Sequence, residues 1–364
     1  GLEASRLFAR SEINMGVDAF RDSLYAMLKR NTFLNIKFEN MLDTLGEMSR
    51  TDLYSYLKEW EQLTPLPFYS IGEPELTKVV NKGGEEFFVL KVLVSNNSDY
   101  DGIIQMNVLQ NGWWYQPMED PRARKKVEIA AHTSKEFVSV WEEQIRDVEI
   151  NTMVSGNLPY MIRQSIGNVK QERNKIVKDT IYTLPESSLE MPGEVIVDNE
   201  DSTLFVLSTP AVVGLLPKWL DKVEDTSFKY SGISWWRAPL QWTATTNAKY
   251  YGKYIRSAYV IKSGDGSQTA TWKIPVPEAG QYELYYHVFK DDELRWNDRL
   301  QGEYHFRVAY DSEMEDAYIN LRKANEGWEQ LGTYYFSADT VRVMLTDECK
   351  LRSVTADAVK IVKR

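Results

Sequence analysis

The residues best suited to bind a ligand form an aromatic segment in the second half of the chain. Trp235, Trp236 and Trp242 lie close together, with Arg237 between them and Asn247 shortly after. An aromatic ring can stack on the apolar face of a pyranose, and guanidinium or carboxamide groups can bond to its hydroxyls. Trp also fills protein cores, so the segment predicts either a ligand-binding face or a loop that packs over a sheet.

Paired carboxylates suggest glycosidase or calcium chemistry, and neither hypothesis finds support in their spacing. A glycosidase needs two carboxylates that face each other across a sugar, and neighbouring strand residues point to opposite faces. A calcium loop needs further acidic ligands at fixed positions. We interpret the pairs as parts of polar turns, namely Asp291–Asp292, Asp198–Asp201 and Asp99–Asp101. We therefore expect no metal site and no cofactor.

Histidine and cysteine chemistry is equally sparse. His132, His287 and His305 are the three histidines, and none begins a His-Glu-x-x-His zinc motif. Cys349 is the single cysteine, so no internal disulfide can form. The sequence also lacks a nucleophile elbow, a phosphate-binding loop and a dinucleotide fingerprint. We therefore predict that this chain is not an enzyme by itself.

Composition narrows the class of partner. The chain has 364 residues, 43% of them hydrophobic and 26% charged, which is typical of a globular protein with two or three domains. The formal net charge of -10 disfavours nucleic acid as a partner. No run of about 18 apolar residues and no signal peptide is present, so we predict no membrane segment in this chain.

The end of the chain has the pattern of a β-sandwich. GWEQLGTYYF at 327–336 is followed by the alternating VRVML at 341–345 and by ADAVKI at 356–361. These runs, with SGDG at 263–266, ATW at 270–272 and PEAGQYELYY at 277–286, resemble the C-terminal domain of golvesin and xanthan lyase. The resemblance covers about 195–364. It implies a galactose-binding-like sandwich in a family described as carbohydrate-binding.

The beginning of the chain has helical periodicity. Apolar residues recur at helical spacing in 17–28, 37–47 and 53–60. AFRDSLYAMLKRNTF at 19–33, FENMLDTLGEMS at 38–49 and DLYSYLKEW at 52–60 resemble the last helices of the catalytic domain of M1 metallopeptidases. The zinc motif of that family is absent. The resemblance therefore implies a metallopeptidase-like tail without its active site.

Short alternating strands fill residues 68–165, with a polar turn at 96–102 between two of them. This spacing favours an Ig-like sandwich, at the place where the M1 family has a β-domain. We predict a mainly β protein with an N-terminal helical segment at 1–65, an Ig-like β-sandwich at 66–165, a connector at 166–192 and a galactose-binding-like, golvesin-type β-sandwich at 193–364.

Two functions remain open from the sequence. In the first, the last domain binds a polysaccharide or cell-envelope glycan through Trp235, Trp236, Trp242, Arg237 and Asn247. In the second, the domains are structural and pack on a catalytic domain that is absent from this chain, or on a partner subunit. The chain begins with Gly-Leu-Glu, which we interpret as a fragment or a processed form. From the resemblance we expect an extracytoplasmic location.

Overall fold

A computed structural model provides the structure of the protein. It describes residues 2–32, 34–50, 52–55, 66–110, 120–167, 169–173, 177–186, 189, 193–208, 229–233, 237–290 and 302–364. The chain divides into two compact units, residues 1–189 and 190–364. The mainly β fold class with a helical N-terminal segment is confirmed. The finer domain boundaries, after residues 65, 165 and 192, stay predictions.

Three helices open the first unit. Helices α1 (Leu2–Met15) and α2 (Val17–Arg30) are separated by Gly16, whose φ of +84° is a conformation that favours glycine. Helix α3 (Phe38–Ser49) ends where the chain turns into a left-handed conformation. The helical periodicity of the sequence produces a shared core of Phe20, Met27, Leu42, Leu45 and Leu53.

The third predicted helix, 53–60, is described only in part. Residues 53–55 are helical, and 56–60 lie outside the described residues, as does the Leu-rich stretch 211–222. Within the described parts of the chain, no helix is long and apolar enough to cross a lipid bilayer.

The strands of the first unit form two sheets. The first runs, in spatial order, β10 (Thr180–Pro185), β6 (Thr133–Trp141), β3 (Glu86–Asn96), β2 (Glu75–Val80) and β9 (Val169–Arg173), with β1 (Tyr69–Ile71) beside β3. The second runs β5 (Arg124–Ile129), β4 (Gly102–Gln110), β7 (Ile145–Asn151) and β8 (Met161–Ser165). Leu90 and Val92 of one sheet share a core with Ile104 and Val108 of the other, so the two sheets form a sandwich.

Strands β9 and β10 fall inside the stretch predicted as a connector. They occupy the two edges of the first sheet, and most of their residues are exposed. The charged residues of β9 give no apolar alternation, and the apolar residues of β10 are exposed, so neither strand has the pattern of a half-buried strand.

Helix α1 packs on this sandwich. Ala9 is buried against Ile103 and Met153, and Arg10 forms an ion pair with Glu128 of β5. The helical segment and the sandwich therefore share apolar and charged contacts within the first unit.

The second unit contains three sheets. One runs β11 (Glu194–Val197), β22 (Val359–Lys363), β16 (Gly280–Val288) and β19 (Gly327–Phe336). The next runs β12 (Phe205–Leu207), β15 (Thr269–Pro275), β20 (Thr340–Thr346), β17 (Glu303–Tyr310) and β18 (Glu313–Asn320). The third runs β13 (Thr243–Thr246), β14 (Ser257–Lys262) and β21 (Ser353–Ala356).

Alternation along the strands separates the core of this unit from its outer faces. On β20, Val341, Val343 and Leu345 are buried, as the period-two pattern predicts. On β16 the same alternation buries Tyr282, Leu284, Tyr286 and Val288. It turns Glu283, Tyr285 and His287 to the opposite, outer face of the β11–β22–β16–β19 sheet. That outer face carries the site described next.

Candidate ligand-binding cleft

The residues predicted to bind a ligand are only partly described by the structure. Trp235 and Trp236 lie outside the described residues. Arg237 is exposed, and Trp242 is half-buried against the core of the second unit. The Trp242 Nε1 atom is buried and meets no hydrogen-bond acceptor among the described residues.

Asn247 lies at the opposite end of β13 from Trp242. At a rise of about 3.3 Å per residue, their Cα atoms are roughly 16 Å apart. The Asn247 side-chain oxygen accepts a hydrogen bond from the Lys249 backbone N–H at 3.0 Å, so the carboxamide shapes a turn. The structure therefore does not bring Trp242 and Asn247 together at one point, and their role in binding stays a prediction.

A cleft of about 390 Å³ opens in the second unit at the carboxyl end of β11. Val195 and Val197 of this strand pack against or within the core, and the alternate residues Glu194, Ile196 and Asp198 face outward. The cleft combines carboxylates with an apolar residue, an aromatic ring and an ammonium. Its lining consists of Glu194, Ile196, Asp198, Glu200, Asp201, Tyr251 and Lys253.

A tight acidic turn follows β11 and forms one wall of the cleft. The Asp201 N–H donates to the Asp198 carbonyl at 3.1 Å, and the Asn199 N–H donates to the Asp198 side chain at 2.7 Å. Glu200 is held by three donors, namely the Tyr230 hydroxyl at 3.0 Å, the Lys229 ammonium at 2.5 Å and the Ser257 hydroxyl.

The electrostatics of this wall are dominated by negative charge. Burial, followed by the charge of Asp357, raises the pKa of Asp198 well above its ordinary value, with smaller contributions from Glu200 and Asp201. Burial and the neighbouring Glu200 carboxylate likewise raise the pKa of Tyr230 to about 12. Both pKa shifts are caused first by burial, which disfavours the charged form, and then by nearby negative charge.

Tyr251, on the other wall, is positioned by a buried carboxylate. Its backbone N–H lies 3.2 and 3.1 Å from the two side-chain oxygens of Asp357, which is fully buried. His287 Nδ1 lies 2.8 Å from Asp357 Oδ2. Burial raises the pKa of Asp357, and His287 partly opposes this effect. Next in the chain, Gly252 has a φ of +151°, and a Cβ there would lie 1.9 Å from the Ile255 carbonyl oxygen.

Aromatic rings continue from the cleft across the outer face of the sheet. The Tyr251 ring centroid is 5.1 Å from that of Trp328, which is also 5.1 Å from His287. Lys360 Nζ lies 4.9 Å above the Trp328 ring and 2.9 Å from Glu194 Oε1. This arrangement fixes the rings through cation–π and ionic contacts, so the face beside the cleft is pre-organised.

Sequence reasoning missed most of this site. From the sequence, Asp198 and Asp201 are predicted to form a polar turn, and Tyr251 is not among the predicted ligand-binding residues. The available signals are the Asp-Asn-Glu-Asp turn directly after a strand and the Tyr-Gly-Lys sequence at 251–253. Within the described ranges, no group of three or more His, Cys, Asp or Glu side chains is arranged to hold a metal ion.

Residues 235–363 match the family model described as the Golvesin C-terminal domain. This match supports the golvesin part of the sequence resemblance, whereas the metallopeptidase part stays a prediction. A search of curated proteins found no match.

Likeness to solved structures is low. A β-glucuronidase from Bacteroides uniformis has 11% identity and a TM-score of 0.22, and the match covers 87% of this chain and 32% of that one. A calcium-binding mutant of B. uniformis β-glucuronidase 2 has 10% identity and a TM-score of 0.22, and the match covers 86% of this chain and 32% of that one. A chain of the Sulfolobus turreted icosahedral virus has 10% identity and a TM-score of 0.17, and the match covers 82% of this chain and 93% of that one. The chain thus spans about a third of the two glucuronidases, and likenesses at this level indicate neither a shared fold nor a shared activity.

Proposed function

We propose that the second unit, residues 190–364, binds glycans through the cleft between the acidic turn and Tyr251. The observation that carries this proposal is the combination of oriented carboxylates, a lysine and a tyrosine ring in one cavity of about 390 Å³. Carboxylate oxygens accept hydrogen bonds from sugar hydroxyls, and a tyrosine ring offers an apolar surface with a polar tip. The volume falls within the range of small-ligand pockets. Similarity to the Golvesin C-terminal domain supports the same function.

The predicted aromatic segment belongs to this proposal as a second contact surface. Trp235, Trp236 and Trp242 would stack on sugar rings, with Arg237 and Asn247 bonding to hydroxyls. We propose further that the chain is the non-catalytic part of a larger, metallopeptidase-like, extracytoplasmic protein, in which the glycan-binding unit places the catalytic domain near its substrate.

Screening the full chain on a glycan array tests the proposal and separates the two surfaces. We expect Tyr251→Ala to weaken binding of any retained glycan at least tenfold, because it removes the ring from the cleft wall. The matched control is Tyr335→Ala, which deletes an exposed tyrosine of β19 that does not line the cleft. A Trp235→Ala/Trp236→Ala double variant measures the contribution of the aromatic segment. Absence of any glycan bound by the folded wild-type chain would refute the proposal.

A protein-docking role for the first unit is the second candidate. Large apolar side chains of the helical segment are exposed rather than covered: Tyr25 at 66%, Leu34 at 65%, Leu28 at 54% and Phe38 at 49%. A metallopeptidase catalytic domain is the occupant that the sequence resemblance suggests. We expect an M1-type catalytic domain to bind the wild-type chain in a pull-down and a Tyr25→Asp/Leu28→Asp variant far less. Equal recovery of the wild-type chain and the variant would exclude this surface as the docking site.

A further inference from the structure

Two of the four carboxylates that line the cleft have a lysine as counter-ion. Glu194 pairs with Lys360 at 2.9 Å, and Glu200 pairs with Lys229 at 2.5 Å. In contrast, Asp198 and Asp201 form no ion pair with any lysine, arginine or histidine that the structure describes. The described residues therefore supply no counter-ion to Asp198 and Asp201.

Lys253, the one lysine of the cleft lining, has its ammonium group 5.7 Å above the ring of Tyr254, a neighbour that is not part of that lining. The buried Asp357 adds a further acidic group behind the cleft, and its partner is His287. Asp198 is partly buried, and its side chain accepts a hydrogen bond from the Asn199 backbone N–H.

A ligand that carries a positive charge would supply what the cleft lacks. A neutral hydroxyl can share a hydrogen bond with Asp198 without favouring its ionised form, whereas an ammonium donates a hydrogen bond and also stabilises the carboxylate. A carboxylated or sulfated sugar would instead add like charge beside Asp198 and Asp201, which disfavours binding. Ile196 and the Tyr251 ring leave apolar surface for the carbon skeleton of the same ligand.

We infer that the cleft selects glycans that present a free amine, such as deacetylated amino sugars, over N-acetylated or acidic glycans. This inference rests on the proposed glycan-binding function of the second unit. Asp198 is the residue that would pair with the amine. Asp201 is an exposed carboxylate of the same cleft and would strengthen the preference for an amine.

Calorimetry on the full chain with chitosan hexaose and chitin hexaose of equal length tests the inference. We expect at least tenfold tighter binding of the deacetylated hexaose, with a preference that shrinks as salt is added because the interaction is ionic. Asp198→Asn keeps the side-chain oxygen that accepts the Asn199 N–H, and it should reduce the preference to below threefold. Asp201→Asn, in an exposed turn position, should reduce it partially. Glu313→Gln, which removes an exposed carboxylate of β18, should leave it unchanged.

The outcomes distinguish this inference from the function on which it rests. Equal or tighter binding of the acetylated hexaose would overturn the amine preference and leave glycan binding intact. No binding of either hexaose, with no glycan retained on the array, would overturn both. Tighter binding of a hexalysine peptide than of chitosan hexaose would also overturn the inference, because the cleft would then recognise a cationic peptide. An unchanged preference in both Asp198→Asn and Asp201→Asn would refute the placement of the amine.

Discussion

Replacement of Asp357 by alanine should destabilise the second unit strongly. The side chain is fully buried, and its two oxygens accept the Tyr251 backbone N–H and contact His287 Nδ1 at 2.8 Å. The alanine variant leaves the Tyr251 N–H and the His287 ring without this partner, at about 1–3 kcal/mol for each buried polar group that loses its hydrogen bond. We therefore expect the free energy of unfolding of the second unit to fall by about 2–6 kcal/mol, since two polar groups lose this partner.

Urea unfolding of the full chain, followed by tryptophan fluorescence, measures this loss in the transition of the second unit. Asp357→Asn should lose less, about 1–2 kcal/mol, because one carboxamide oxygen can still accept the Tyr251 N–H. Glu313→Ala, which removes an exposed carboxylate of β18, is the control and should lie within about 0.5 kcal/mol of wild type. Hydrogen exchange at the Tyr251 amide should accelerate in the alanine variant. A loss below about 1 kcal/mol in Asp357→Ala, with unchanged exchange at Tyr251, would refute the positioning role.

Three further predictions concern the cleft and the first unit. Because the folded pKa of Asp198 is raised above its ordinary value of 3.8, the stability of the second unit falls as pH rises through the folded pKa; Asp198→Asn should therefore flatten the pH dependence of the free energy of urea unfolding, and an unchanged pH dependence would contradict this role. Gly252→Ala should lower the free energy of urea unfolding by about 1–3 kcal/mol and weaken glycan binding, since the new Cβ would clash with the Ile255 carbonyl. Wild-type stability and affinity in this variant would contradict the predicted clash. Hydrogen bonds that the His132 ring donates to Glu186 and, secondly, to Asp99 raise the pKa of His132, so the stability from this pairing is fully present below pH 6.5 and is lost as pH rises through the folded pKa. By NMR, the titration midpoint of His132 should fall towards 6.5 in Glu186→Gln, and an unchanged midpoint would show that Glu186 is not the main partner.

Local periodicity predicted the elements of the fold well where one face of an element is buried. Residues 17–28 and 37–47 form helices because their apolar residues share one side, and Val341, Val343 and Leu345 form a strand because theirs alternate. The strands at 169–173 and 180–185 were not predicted because both are edge strands with mostly exposed side chains, and neither has a regular apolar alternation. Periodicity carries no signal when neither face is covered.

The cleft could not be assembled from the sequence because its walls come from distant segments. Glu194 to Asp201 and Tyr251 to Lys253 meet only after folding, and Asp357, which holds Tyr251, lies 106 residues further along the chain. The high tryptophan content of 235–242 instead predicted a binding site there. Tryptophan content alone does not distinguish a ring that packs on the core from a ring that binds a ligand. Trp242 shows the difficulty, since it packs partly against the core.

The affinity of the full chain for its tightest array glycan, measured for wild type and for Tyr251→Ala, tests glycan binding by the cleft most directly. The account predicts at least tenfold weaker binding by the variant, equivalent to about 1.4 kcal/mol, and unchanged affinity in Tyr335→Ala. Wild-type affinity in Tyr251→Ala, together with loss of binding in the Trp235→Ala/Trp236→Ala variant, would contradict it and place recognition on the aromatic segment.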